Sequence, residues 1–351
     1  MTQLKQISYP KIGQFRNVIQ TLSRISSFKG MDLNNEPIYD GTAPKPVIKF
    51  KGTVKVHGTN AGVCYNTKDG IYTQSRNNPF NMDEAPDSHM GFTFFVKKNK
   101  LVFEDFFNKI IEENDIDPNI FTISIYGEWA GKGIQKGVGV SELEKAFYIF
   151  GVKISKLEDP EFDSYWVDYT HYSEDDARIF NIDKFGTFEV DVDFAMPQLA
   201  ATEFAEITTK VEEECPVAKF FGVSGIGEGV VWTADFHGSL HRFKVKGEKQ
   251  SVSKVKTLAP VDTEKLHSIQ DFVTYAVTDN RFEQGLQQVF GEDPHVIQKM
   301  GDLIRWCIND IMSEEIDTMA DNNLEPKDVN KYISTNVKDR FVKHLNDNAG
   351  L

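Results

Sequence analysis

Positive charge is in short supply in this chain: 39 Lys and Arg stand against 53 Asp and Glu, a formal net charge of -14 at pH 7 and a pI near 5.1. That balance excludes a protein whose whole surface grips a phosphate backbone, since such contacts draw on clustered Lys and Arg. It leaves room for a local basic channel, because exposed charges further apart than about 8 Å are largely screened. Cysteine is scarcer still. Cys64, Cys215 and Cys307 are scattered, odd in number and form no Cys-x-x-Cys pair, which argues against a disulfide framework or a thiolate zinc site; three buried thiols are expected. No apolar run approaches the roughly 18 residues that span a bilayer, and Met1-Thr2-Gln3-Leu4-Lys5 lacks the apolar core of a secretory signal. A soluble, cytoplasmic protein is expected.

The familiar phosphate-binding motifs are also missing. No Gly-x-x-x-x-Gly-Lys-Ser/Thr string occurs around Gly131-Lys132 or elsewhere, so P-loop chemistry is excluded at the level of motif. Gly131-Lys132-Gly133-Ile134-Gln135-Lys136-Gly137 is one residue too long for a dinucleotide fingerprint, and Gly225-Ile226-Gly227-Glu228-Gly229 one too short. His241-Arg242-Phe243 lacks the kinase Asp, and Asp235-Phe236-His237 lacks the Gly.

What is present is an ordinary globular composition. With 351 residues, 40% hydrophobic and 12% aromatic, the chain can build two domains and a substantial core. A helix is predicted around Gln14–Phe28, followed by a Gly/Asn/Pro-rich connector through Pro46. Partial alternation over Val47–Lys55 predicts a strand with Lys55 at its end. Gly62–Tyr65 and Gly70–Gln74 flank the turn residues Asn66–Asp69 as a hairpin, and a long polar loop follows through Asn77, Pro79 and Pro86. Phe103, Phe106, Phe107 and Ile110 share one face of a predicted helix over Val102–Asn114. Phe121–Tyr126, Phe147–Ile154, Val230–Trp232 and Leu240–Val245 are further strand candidates.

Composition shifts after Lys246. A linker is expected over 248–262, separating an α+β domain of residues 1–247 from a small all-helical domain of residues 263–351. In the tail, Asp293-Pro294 reads as a helix start, with Val296, Ile297, Met300, Leu303, Ile304, Cys307, Ile308 and Ile311 on one apolar face. Val329, Tyr332, Ile333, Val337, Phe341 and Leu345 form a second such face after Pro326.

The chemistry-bearing residues sit on or beside the predicted strands. Lys55-Val56-His57-Gly58-Thr59-Asn60 offers a lysine that can act as a nucleophile if other charges or burial expose its lone pair. Arg76 follows the hairpin. Glu128 lies among aromatic and small residues in Ile125-Tyr126-Gly127-Glu128-Trp129-Ala130-Gly131, and Glu228 lies between two glycines, where backbone can approach a ligand closely. Lys244 and Lys246, two apart on a predicted strand, project from one face. Each has a bland alternative as a solvated surface charge.

Taken in order, Lys-Val-His-Gly-Thr-Asn (55–60), Tyr-Gly-Glu-Trp-Ala-Gly (126–131), Phe-Tyr-Ile-Phe (147–150), Glu-Gly-Val-Val (228–231) and Phe-Lys-Val-Lys (243–246) resemble the covalent nucleotidyltransferase superfamily of ATP-dependent ligases and RNA-capping enzymes. The His57-Gly58-Thr59-Asn60 string is similar to the phage RNA ligase 2 family in particular, where DNA ligases and capping enzymes usually carry Asp or Asn before the glycine. The resemblance implies an α+β nucleotidyltransferase (ATP-grasp-like ligase) domain with antiparallel sheets, and a small C-terminal all-helical domain. It implies an ATP-dependent RNA ligase that joins 3′-OH and 5′-phosphate RNA ends at nicks in duplex RNA, as a monomer in the cytoplasm of an infected host cell. Lys55 would carry AMP; Arg76, Lys244 and Lys246 would engage phosphates. Glu128 would bind a ribose hydroxyl, Phe150 would stack on adenine with Phe147 as fallback, and Glu228 would hold Mg²⁺ or Mn²⁺. Val54, His57, Thr59 and Asn60 would shape the nucleotide pocket. The sequence departs from the family pattern at Gly151, where Asp is usual, and at Val54, where close relatives often carry an acidic residue. The rival readings are a DNA ligase, a GTP-using capping guanylyltransferase, or a non-catalytic nucleic-acid-binding protein.

Overall fold

The computed structural model describes residues 4–83, 88–160, 164–247, 269–291, 293–321 and 324–348. In chain order its elements begin with α1 (Phe15–Ser27), β1 (Phe28–Met31), β2 (Pro37–Tyr39), β3 (Val47–Lys55), β4 (Thr59–Asn66), β5 (Gly70–Ser75) and β6 (Pro79–Phe80). Next come α2 (Phe92–Lys98), α3 (Lys100–Asn114), β7 (Phe121–Ala130), β8 (Ala146–Lys156), β9 (Ser164–Val167), β10 (Ile179–Asn181) and β11 (Thr187–Asp193). After α4 (Leu199–Glu213) and α5 (Pro216–Phe220), β12 (Gly229–Phe236) and β13 (Ser239–Lys246) complete the strands. Among the described residues there follow the α-helices α6 (Ile269–Ala276), α7 (Asp279–Phe290), α8 (Met300–Glu314), α9 (Ile316–Asp321) and α10 (Pro326–Asn348). This is an α+β architecture with largely antiparallel strands and a helical C-terminal region. Two compact units are distinguished: Met1–Ile12 with Phe50–Glu189 and Thr209–Asp235, and Gly13–Lys49 with Val190–Thr208 and Phe236–Leu351.

The first unit is organised by a seven-stranded sheet in the order β10-β8-β7-β4-β5-β6, with β9 paired to β8. Only the β10–β8 pairing is parallel. Alternation fixes its two faces. Ala61, Val63, Ile123, Ile125 and Trp129 point to one side, where Phe92, Val96, Phe103, Phe106, Phe107 and Ile110 of α2 and α3 cover them. Each Phe buried there contributes on the order of 2 kcal/mol through removal of apolar surface from water. The other face carries Asn60, Gln74, Tyr126 and Glu128, so the polar residues of β4, β5 and β7 converge there. The segment before α1 lies over part of that face: the Ile7 N–H donates to Gln74 Oε1 at 3.1 Å, and the Ile7 carbonyl accepts from Gln74 Nε2 at 2.7 Å and Tyr126 Oη at 2.6 Å.

Also in this unit, β3 and β12 pair antiparallel with Lys55 opposite Gly229 and Gly52 opposite Trp232. Gly52 is required by that register, since a Cβ there would stand 2.7 Å from the Trp232 ring.

In the second unit, Phe15 of α1 packs tilted against Phe243 of β13 at 4.8 Å and edge-on to Phe204 at 5.0 Å. The C-terminal helices close their own core around Leu303, Cys307 and Ile311 of α8 and Val329, Ile333, Val337 and Phe341 of α10. Both sets repeat every four residues, which places them in a single stripe along each helix. Arg281 is fully buried in this cluster and is neutralised by Asp310 at 2.8 Å.

The predicted helix at the start, the strand Val47–Lys55, the hairpin over 62–74 and the helix ending at Asn114 are all present. Four readings change. The polar loop after the hairpin contains the short strand β6, and the strand beginning at Phe121 continues through Glu128 to Ala130. Asp293-Pro294 does not start a helix: α8 begins at Met300, and Val296 and Ile297 are exposed. Tyr332 is exposed too, because the inward stripe of α10 runs through 329, 333, 337 and 341. The expected linker over 248–262 lies outside the described residues. All three cysteines are free and buried, and no helix among the described residues is long and apolar enough to cross a membrane.

Candidate active site

The register of β3 and β12 decides the central geometry. Because Lys55 faces Gly229, the residue before Gly229 arrives beside the lysine side chain, and Lys55 Nζ lies 2.7 Å from Glu228 Oε2. The carboxylate is nearly all buried, at 3% side-chain exposure, while the lysine keeps 20%. His57 Nδ1 approaches the same oxygen at 3.2 Å. A buried carboxylate therefore gathers two residues of the 55–60 string around one atom.

The loop between β3 and β4 is held against β7. The Gly58 N–H donates to Glu128 Oε1 at 3.1 Å. A Cβ on Gly58 would stand 2.4 Å from the Trp129 carbonyl oxygen and 2.7 Å from Ala130 Cβ, so only glycine permits this approach. Asn60 sits opposite Glu128 in the β4–β7 register. Glu128 retains some exposed surface as a residue, but its carboxyl is enclosed, and burial pushes it up to about 7. The charge on Lys55 opposes this rise, the charge on Glu228 adds to it, and Arg76 acts in the same direction as Lys55. Lys55, His57, Glu128, Glu228 and Arg76 thus form one electrostatic neighbourhood, with Thr59 and Asn60 at its edge.

Two expected pocket residues are placed differently. Val54 is 2% exposed and points to the face of β3 opposite Lys55, so it supports the strand rather than joining the cluster. Phe147 packs inside the core at 4.9 Å from Phe92, which removes it as a stacking surface for a nucleotide. Phe150 differs because the β7–β8 register slips: Tyr126 faces Gly151 and Gly127 faces Ile149, leaving Phe150 as the extra residue of a bulge. Half-buried, it meets Tyr9 edge-on at 5.1 Å, and Tyr9 also contacts Tyr126 and Trp166.

Lys244 and Lys246 belong to the second unit and alternate with the buried Phe243 and Val245, as the two-residue period requires. Lys244 Nζ is bonded to both oxygens of Glu314 at the end of α8, at 2.8 and 2.6 Å. Sequence reasoning missed Glu314, Tyr9 and Gln74. Glu314 carried no local signal beyond being one more acid on a helix, whereas Gln74, inside a strand of apolar and small polar residues, was the nearest to a visible anomaly.

A family model described as RNA ligase matches residues 48–246, and the chain belongs to that family. No curated protein matches. Among solved structures, the chain is similar to the RNA ligase of Naegleria gruberi with pyrophosphate, at 15% identity and a TM-score of 0.41, covering 70% of this chain and 57% of that one. A variant of the same ligase with ATP and manganese gives 15% identity, a TM-score of 0.42, and coverage of 70% and 58%. The chain thus spans little more than half the length of the structures it matches.

Proposed function

We propose that this protein is an ATP-dependent RNA ligase that works through a lysyl-AMP intermediate, with Lys55 as the nucleophile. The observation that carries this reading is the convergence of Lys55 and His57 on one oxygen of the buried Glu228, beside a Glu128 that binds the Gly58 amide. Membership of the RNA ligase family over residues 48–246 supports RNA as the substrate.

In the first step Lys55 Nζ attacks the α-phosphorus of ATP. The N–P bond forms, the bond to the β-phosphate oxygen breaks and pyrophosphate leaves; the ammonium must give up its proton for its lone pair to react. A 5′-phosphate oxygen of RNA then attacks the lysyl-AMP phosphorus, releasing Lys55 and leaving AMP on the RNA end. Finally a 3′-hydroxyl attacks that 5′-phosphate, forming the phosphodiester and expelling AMP. Glu228 supplies a hard oxygen donor of the kind that holds Mg²⁺ or Mn²⁺ together with substrate phosphates. Such a cation would neutralise charge developing on the phosphate. Glu128 binds a ribose hydroxyl, Phe150 stacks on the base, and Arg76, Lys244 and Lys246 bind phosphates. The RNA ends are a 5′-phosphate and a 3′-OH, presented at a nick in a duplex to a monomeric enzyme. Residues 1–247 serve as the adenylyltransferase domain and 263–351 as the helical domain.

The test is incubation with α-labelled ATP or GTP and Mg²⁺ without nucleic acid, followed by denaturing electrophoresis. Acid-labile label from ATP alone, lost in Lys55→Ala, is expected. Label from GTP only would make it a capping guanylyltransferase, and no label with either metal would leave a passive binding role. Sealing of nicked RNA compared with nicked DNA then fixes the substrate, and equal or better sealing of DNA would overturn the RNA assignment.

A further inference from the structure

The turn leading into α2 holds two non-glycine residues in succession in the left-handed region, His89 at φ 55° and Met90 at φ 56°, before Gly91 at φ 84°. Each such residue costs about 1–2 kcal/mol relative to ordinary backbone, and conformations of this kind persist only where their surroundings fix them. Here they are fixed from β7 and from the segment just before β8. The Met90 carbonyl accepts from Trp129 Nε1 at 3.3 Å and from Lys145 Nζ at 3.1 Å, while the His89 carbonyl accepts from the Phe92 N–H at 3.0 Å. Trp129 is the residue after Glu128, so the strand that carries the enclosed carboxyl also anchors the strained turn.

The product of that strain is the direction of one ring. His89 Nε2 lies 3.1 Å from Thr59 Oγ1, and Thr59 immediately follows the glycine whose amide Glu128 binds. His89 Nδ1 is buried and has no hydrogen-bond partner among the described residues. Burial pushes the ring down to about 4, so it is neutral under ordinary conditions and offers one donor and one acceptor.

We infer that His89 is a positioning residue of the nucleotide site, acting by fixing the Thr59 hydroxyl beside the Lys55 loop. The inference rests on the ligase reading above. The ring packs against Phe92 at 5.7 Å and Phe80 at 6.1 Å, and together with the left-handed backbone these contacts direct Nε2 to the Thr59 hydroxyl. Thr59 is thereby held in one orientation before the nucleotide arrives, which lowers the ordering needed on binding.

The test is a double-mutant cycle on lysyl-AMP formation with His89→Gly, Thr59→Val and the pair. Glycine relieves the left-handed backbone, so His89→Gly removes the ring without adding strain. His89→Gly is expected to raise the KM for ATP about tenfold, the scale of one lost hydrogen bond, with the fold retained as judged by a cooperative melting transition. Thr59→Val should do the same, and the pair should be no worse than either single change. His89→Gln, whose amide reaches where Nε2 stands, should restore part of the affinity. A KM within twofold for His89→Gly, or effects that multiply in the double variant, would overturn the inference while leaving the ligase reading intact. Failure of the unaltered protein to form lysyl-AMP would remove the ligase reading, and this inference with it.

Discussion

Lys55 Nζ and Glu228 Oε2 are 2.7 Å apart, and the carboxylate half of the pair is almost wholly withdrawn from solvent. An ammonium held in this way has no lone pair, so in the proposed reaction its proton must leave before the amine can attack. Glu228 is thus the partner that places the lysine side chain.

Glu228→Gln keeps the shape of the side chain but removes its charge. Lysyl-AMP formation is expected to fall about 100-fold or more, the usual scale for loss of one charged group acting on a transition state. Labelled AMP retained per mole of protein measures it. Near-normal labelling would show that the carboxylate serves the fold alone.

Glu128 ties stability to pH. Its carboxyl has an ordinary value of 4.5 and is pushed up to about 7, chiefly by burial. Between those values the folded chain binds more protons than the unfolded chain, so stability declines as pH rises through this window and levels off above it. Glu128→Gln should remove the decline, and at pH 8 should be more stable than the unaltered protein by up to about 3 kcal/mol. Denaturant titrations at pH 4.5 and 8 check this, and equal pH slopes for the two proteins would count against an enclosed carboxyl.

Phe147 and Phe150 are separated by opposite faces of β8, and their variants should fail differently. Phe147→Ala opens a cavity in the core and should destabilise by about 3–5 kcal/mol. Phe150→Ala should cost less stability and instead raise the KM for ATP. Melting curves paired with ATP titrations decide it, and an unchanged KM for Phe150→Ala would remove its stacking role.

Lys244 is engaged by Glu314, and both side chains are largely shielded, with 17% and 20% exposure. If Lys244 binds phosphate, Glu314 competes for it. Glu314→Gln is then expected to lower the KM for ATP about threefold, and Lys244→Ala to abolish the difference. A KM that rises in Glu314→Gln would show that the contact orients Lys244 for its task instead of occupying it.

The site was legible where chemistry and spacing coincide within a few residues. His57-Gly58-Thr59-Asn60 stood out through its resemblance to the RNA ligase 2 string, while the close approach that requires Gly58 appears only in the fold. Lys244 and Lys246 were placed on one face by the two-residue period alone. Phe150 shows the limit: the period of two runs through β8 until a bulge shifts it, and a bulge depends on how two strands register and leaves little mark in one strand's composition. The same holds for Val296 and Ile297, apolar residues that extend a helical pattern but stand exposed, Ile297 in a single 3-10 turn that leads into α8.

By itself the sequence determined the strand that ends at Lys55, the hairpin, the aromatic face of α3 and the types of residue available for nucleotide chemistry. These follow from periodicity and turn residues, which act over short stretches of chain. Tertiary structure alone decided that Glu228 would meet Lys55, that Glu128 would be enclosed enough to titrate near 7, that Glu314 would hold Lys244, and that His89 would be turned toward Thr59. Each joins residues distant in sequence, and their meeting is fixed by strand register and by burial, which arise only once the chain has folded.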